Sequence, residues 1–195
     1  SNFAGTGAAP SSGDEGKTAA STSFSAPAAV LQDERGNIYV AESSGNRVSR
    51  IAAGTGTVTT VKAGGCPAAL AIDRNQHLFI TTPCSSPAGV TRVDLNTGQS
   101  RVYPVAGPGS GLAVDDQGNI FVSSEFLHTI SRIDVGSGAV TVVAGDGRDL
   151  SSGDGGPALA ASIGRPTGLM VDANDGLYVA SRSGRNIRRV DLKTG

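Results

Sequence analysis

The chain has 195 residues, 38% of them hydrophobic, with 28 glycines, no tryptophan and a formal net charge of −1. That length supports one sizeable core and a single domain, and the near-neutral charge advertises no polyanion partner. The chain contains no run of 18 or more apolar residues, so nothing in it reads as a membrane-spanning helix, and a glycine-rich, aromatic-poor composition suits tight turns rather than helices.

Residues 1–7 read as a lone strand, because they match Val143-Ala144-Gly145-Asp146-Gly147 further along. No charged-then-apolar leader stands there, so a signal peptide is expected to be absent or already removed. After a loop at 5–26 the first of four copies of one unit begins. The copies share an apolar triplet: Ile38-Tyr39-Val40, Leu78-Phe79-Ile80, Ile120-Phe121-Val122 and Leu177-Tyr178-Val179, spaced by 40, 42 and 57 residues. Before each triplet an aspartate (Asp33, Asp73, Asp115, Asp172) opens a polar turn. After it come Val48-Ser49-Arg50-Ile51, Val90-Thr91-Arg92-Val93, Ile130-Ser131-Arg132-Ile133 and Ile187-Arg188-Arg189-Val190. A glycine-rich turn and a Val/Thr-rich run then follow, as at 57–61 and 139–143.

Period-two alternation, β-branched content and turn residues between runs are strand signals. A repeat of about 40 residues holding four antiparallel strands is a propeller blade, and one blade cannot bury its own faces, so neighbours must stack. The fold class is therefore all-β, a β-propeller of four-stranded antiparallel blades at about 27–62, 67–105, 109–145 and 166–195. Strand 1–7 is expected to close the last blade. Small residues on each innermost strand (Ala29, Ala69, Gly111, Gly168) suit crowding at the axis. The aromatics Tyr39, Phe79, Phe121 and Tyr178 are expected to pack blade on blade, and Arg50, Arg92, Arg132 and Arg189 to bond between blades. Four repeats leave three arrangements open: a piece of a longer propeller, association through open sides, or a closed four-bladed ring.

Pro-x-Gly/Ala-Leu-x-Val-Asp, then Gly-Asn-Ile-Tyr-Val-Ala, then Asn-Arg-Val-Ser-Arg-Ile resembles the NHL repeat, whose β-propellers usually have six blades. The matches run over 27–51, 67–94, 109–134 and 166–191. The second departs most, with a longer segment at 82–89. The loop at 145–165 contains Gly153-Asp154-Gly155-Gly156-Pro157-Ala158, similar to inserts of bacterial NHL proteins and teneurin-type propellers. The loops 5–26 and 145–165 also resemble each other: Ser11 to Asp14 aligns with Ser151 to Asp154, and Ala19-Ala20 with Ala160-Ala161. One helical turn is expected near 157–162, with Leu159 and Ile163 packing the loop down.

Cys66 begins the first strand of the second unit and Cys84 follows its second strand. Folding that hairpin about 73–76 brings the two thiols to one end, within the 4.4–6.8 Å Cα separation that a disulfide needs. A bond there implies an oxidising compartment, so an extracellular or periplasmic protein is expected. Three lysines and abundant Ser, Thr, Ala and Gly suit a secreted bacterial one.

Strand alternation puts fourth-to-first and second-to-third connections on one face. That face carries both long loops, the cysteine pair and the insertion at 83–87. The opposite face has turns of constant length. Variable loops on a rigid scaffold are where binding usually sits, which nominates Glu42, Asn46, Arg47, Glu125, His128, Asp154, Arg182 and Arg185. The bland alternative is that each is a solvated loop residue and that Arg47 pairs with Glu42. The turn aspartates are expected to bond backbone amides.

No catalytic constellation emerges. His77 and His128 fall on opposite faces, and no His/Cys spacing resembles a zinc site. No metal and no cofactor is expected, although Asp14, Glu15, Asp146, Asp149 and Asp154 are oxygen ligands of the kind Ca²⁺ takes. The reading is a non-catalytic scaffold binding a protein, peptide or glycan through the long-loop face. The alternatives are a propeller lyase or hydrolase with its site at the channel mouth, and an RNA-binding domain using Arg182, Arg185, Arg188, Arg189 and Lys193.

Overall fold

The computed structural model describes residues 3–8 and 15–195. Strands β1 (Pro27–Gln32), β2 (Ile38–Glu42), β3 (Arg47–Ile51) and β4 (Val58–Ala63) form the first blade. The second comprises β5 (Leu70–Ile72), β6 (His77–Thr82), β7 (Gly89–Asp94) and β8 (Ser100–Pro104). The third comprises β9 (Leu112–Val114), β10 (Ile120–Ser124), β11 (Thr129–Ile133) and β12 (Val140–Ala144). Within loop 145–165, β13 (Ser151–Ser152) pairs with β14 (Ser162–Ile163). The fourth blade holds β15 (Pro166–Val171), β16 (Gly176–Ser181) and β17 (Asn186–Asp191). The fold is the all-β, four-bladed propeller that the repeat predicts.

Each β1-to-β2 type turn is built by its aspartate. Asp33 Oδ1 accepts the Asn37 N–H at 2.8 Å, and Asp115 Oδ1 accepts that of Asn119 at 2.7 Å. Asp73 and Asp172 accept the equivalent amides of His77 and Gly176. The third-strand arginines correct one expectation. Arg50, Arg92 and Arg132 reach Asn37, His77 and Asn119 of their own blades rather than a neighbour. Arg189 has glycine at the matching turn position, Gly176, and its Nη1 lies 3.9 Å from Asp191 instead.

The core lies between blades. Tyr39 and Val48 pack on Leu78, Ile80 and Val93. Phe79, Val90 and Tyr103 pack on Leu112, Ile120 and Val122. Phe121 and Ile130 pack on Leu177, Val179 and Val190. The strand-two aromatic of each of these three blades thus faces the blade that follows, as blade-on-blade packing requires. Burying one such side chain is worth roughly 1.5–3 kcal/mol. At the crowded inner strands a Cβ on Gly111 would collide with the Thr167 carbonyl, so only glycine fits there.

The blades form an arc. Inner strands pack β1 on β5, β5 on β9 and β9 on β15, and no apolar cluster of described residues joins the fourth blade to the first. Val48, Val90 and Ile130 are fully buried, yet their counterpart Ile187 is 76% exposed. Met170, on the same face of that sheet, and Val30 on the free face of the first blade are also exposed.

The expected closing strand is not formed among the described residues. Gly5 N donates to Ala19 O at 2.9 Å and Thr6 N to Thr22 O at 3.0 Å. Gly145 N and Asp146 N donate in the same way to Ala158 O and Ala161 O, each at 3.0 Å. Residues 3–7 therefore sit against the first blade as the end of β12 sits against the fourth, and the sheet of β15, β16 and β17 keeps three strands. The shared bonds also correct the loop alignment: Ala19 matches Ala158, not Ala160. Single 3-10 turns at Ala19–Ser21 and Ala158–Ala160 follow from it, the second being the helical turn expected there. Ile163 is buried, but Leu159 stays 58% exposed. The aligned segment from Ser11 to Asp14 lies outside the described residues.

Candidate functional site

The long-loop face is assembled from β2–β3 type turns and from the segments entering each blade. Every such turn except the lengthened one of the second blade ends on a residue with positive φ: Asn46 at 53°, His128 at 54° and Arg185 at 52°. Two of these bind the blade that follows. Asn46 Oδ1 accepts the Cys66 N–H at 2.8 Å, and His128 Nδ1 accepts the Arg165 N–H at 3.1 Å. Cys66 and Arg165 are themselves left-handed, both at φ 47°, immediately before a proline. Asn46 and His128 are thus one joint made twice. The bond fixes the His128 tautomer, since an accepting Nδ1 leaves the proton on Nε2. Arg185 has no acceptor to offer, and its side chain finds no partner among the described residues.

Glu42 lies beneath the face rather than on it. Its fully buried carboxylate accepts from Ser25 N at 2.9 Å, Arg47 Nε at 2.8 Å and Ser49 Oγ at 2.6 Å. The expected Glu42–Arg47 pair is therefore structural. Four hydrogen bonds from three residues, the fourth from Arg47 Nη2 at 3.3 Å, compensate the cost of burying the charge.

Three nominated residues, Glu125, His128 and Arg182, do come together at the junction of the third and fourth blades, around Arg165, which the sequence reading did not nominate. Glu125 Oε1 takes Arg165 Nη2 at 2.8 Å and Arg182 Nη1 at 3.2 Å. His128 stands over the same junction, with Asp149 Oδ1 3.9 Å from its Nδ1. Asp154 lies apart, on Arg188. Beside the Glu125 cluster is what the sequence reading missed: Phe126 is 83% exposed, and Leu127 and Leu150 are 45% and 58% exposed. The signal was available, because the equivalent positions Ser44, Cys84 and Ser183 are small.

Cys66 and Cys84 are bonded, with Cα atoms 5.4 Å apart. Among the described residues no three His, Cys, Asp or Glu side chains group as metal ligands. Of the oxygen donors, Asp14 lies outside the described residues, Glu15 accepts from Thr60, and Asp146 from Ser162. His77 is held by Asp73 at 2.7 Å and by Arg92, on the constant-turn face.

Several aspartates are held below the ordinary carboxylate range. For Asp94, Asp134, Asp172 and Asp191 the leading cause is an N–H of the following turn, from Asn96, Ser137, Gly176 and Lys193 respectively. For Asp146 it is the Ser162 hydroxyl. At Asp33 burial pushes the other way, but bonds from Asn37, Tyr39 and Arg35 outweigh it. Burial, together with the bond to Asp33, pushes the Tyr39 phenol up to about 12.

No protein-family profile and no curated protein sequence matches the chain. Solved structures do share its fold. Virginiamycin B lyase from Staphylococcus aureus superposes with a TM-score of 0.63 at 16% identity, over 84% of this chain and 52% of its own. A protein of unknown function from Bacteroides thetaiotaomicron gives 0.65 at 22% identity, over 82% and 46%. A streptogramin B lyase gives 0.61 at 18% identity, over 88% and 56%. The chain spans about half the length of these propellers, and at such identities the likeness carries the fold alone. No helix of the described residues is long and apolar enough to cross a membrane.

Proposed function

We propose that this chain is a non-catalytic propeller scaffold of the NHL type that binds a protein or peptide through its long-loop face, at the junction of the third and fourth blades. The observation that carries the reading is the exposed Phe126, followed by half-exposed Leu127 and next in sequence to Glu125 of the Glu125–Arg165–Arg182 cluster. Exposed aromatics beside arginine are the usual anchors of an interface. A serine, present at this position in the first and fourth blades, would serve the fold equally well.

The same reading takes the protein to be extracellular or periplasmic and bacterial. The disulfide supports an oxidising compartment. Exposed Ile187 and Met170 fit an array that is covered by further blades or by another copy. The basic cluster does not favour RNA, because Arg182, Arg188, Arg189 and Lys193 each face a carboxylate.

The test is panning of a displayed peptide library on the intact protein. Enrichment should fall at least tenfold on Phe126→Ser and on Arg182→Glu, with the fold unchanged. Peptides that bind both variants as well as the parent would overturn the reading. The lyase alternative rests on likeness to the two lyases. Incubation with virginiamycin B should leave it uncleaved; turnover would replace the scaffold reading.

A further inference from the structure

The three grooves between neighbouring blades are made from the same repeat positions, yet they are not equally full. Between the second and third blades the groove holds Tyr103, whose buried ring donates its hydroxyl to the Val135 carbonyl at 3.2 Å. The Arg101 guanidinium lies 4.8 Å from the ring centroid, and its Nη1 donates to the same carbonyl at 3.4 Å. Gly138, which closes the adjoining turn, is in contact with both: a Cβ there would stand 3.1 Å from Arg101 Nη2 and 3.9 Å from Tyr103 Cδ1.

In the third blade the counterparts of Arg101 and Tyr103 are Thr141 and Val143. Strand pairing sets Arg92 against Arg101 and Arg132 against Thr141, and the ladder of β11 and β12 then bulges at Val143. What remains between the third and fourth blades is a cavity of about 520 Å³, walled by Asn119, Phe121, Arg132, Val143, Leu192 and Gly195. The groove between the first and second blades has the same walls, with Asn37, Tyr39, Arg50, Val61, Leu95 and Gly98, and holds about 290 Å³. Among the described residues, none beyond its chain neighbours comes within 4 Å of a Cβ built on Gly98. The open grooves differ from the closed one at two positions. Both carry shorter side chains in the open grooves.

We propose that the groove between the third and fourth blades is a binding site for a phenol ring. Its wall aligns with that around Tyr103, position by position: Phe121 for Phe79, Arg132 for Arg92, Val190 for Ile133 and Leu192 for Val135. The ring stacks against Phe121 and Val143, and its hydroxyl donates to the Leu192 carbonyl, as that of Tyr103 does to Val135. This groove is favoured over the first because loop 145–165 adds Pro157 and Leu159 to its apolar wall. Arg132 is held in place by Asn119 Oδ1 at 2.9 Å, so the cation lines the cavity without needing the ligand. The groove lies among the constant-face turns, so it is separate from the Phe126 patch.

The test is methyl-detected NMR of the full chain titrated with N-acetyltyrosinamide, N-acetylphenylalaninamide and p-cresol. Saturable shifts at the Val143 and Leu192 methyls are expected from N-acetyltyrosinamide, with the phenylalanine analogue at least tenfold weaker because it leaves the carbonyl unpaired. Equal binding of p-cresol assigns the site to free phenols. A tenfold advantage for the tyrosine derivative assigns it to a tyrosine side chain in a peptide. Thr141→Arg with Val143→Tyr, or Val143→Tyr alone, rebuilds the plug of the second groove and should weaken binding at least tenfold, with other methyl positions unmoved. Equal binding of the two amino-acid amides, shifts centred outside this groove, or undiminished binding by the plugged variants would each overturn the proposal.

Discussion

Ile130 and Ile187 occupy one repeat position in adjacent blades and share residue type and strand. Ile130 is sealed under the fourth blade, whereas Ile187 is open to solvent. The difference teaches that the repeat specifies a face, while burial depends on a neighbour. Each copy carries an apolar residue there because each is patterned for the interior of an array, the fourth included.

That contrast can be broken most forcefully by cavity mutations. Ile130→Ala should lower the unfolding free energy by about 2–5 kcal/mol, and Ile187→Ala by less than about 0.5 kcal/mol, in denaturant titrations. Similar losses would mean that the fourth face is covered in solution. Next in size is the staple of an interior blade. Cys66→Ser with Cys84→Ser opens a loop of 18-residue separation and should cost about 3 kcal/mol, read as a lower denaturation midpoint.

The joint residues sharpen the comparison at smaller scale. Asn46→Ala removes the acceptor of the Cys66 amide and should cost about 1 kcal/mol. Arg185→Ala, at the same position without a bond to give, should be neutral in the same assay.

The last test is where the two end blades should agree. Asp33 in the first blade and Asp172 and Asp191 in the last are all held below 3.8. A depressed carboxylate stabilises the fold above its unfolded value, and that contribution is lost as pH falls through the folded one. Thermal midpoints should therefore hold from neutrality to about pH 4 and drop below it. Asp33→Asn and Asp172→Asn should each flatten that drop.

The fold was legible because period-two strands and aspartate turns are local signals that recur. The disulfide was legible for the same reason, since a hairpin register can be counted. The joint was not. That Asn46 and His128 do one task is invisible in the residue types, and appears only when both are seen to accept the amide of the next blade's first residue. Glu42 looked like a surface charge because it stands where the other blades have Thr82, Ser124 and Ser181, and sequence cannot tell that it turns inward to Ser25 and Ser49. Residues 1–7 did carry a true signal, their likeness to 143–147. It was misassigned, because a match to the end of a blade does not say which blade is completed.

The joint also has a consequence for how the molecule assembles. An amide without its acceptor at the entrance of a blade costs stability, so the second and fourth blades reach their full stability only when the turns of the first and third have taken their left-handed form. Order is then handed along the chain from its amino-terminal side. Nearest-neighbour coupling of this kind makes an array melt from its free sides inward. Amide exchange should accordingly be slowest in β6 and β10 and fastest in β17, a gradient imposed by two side chains at the blade joints.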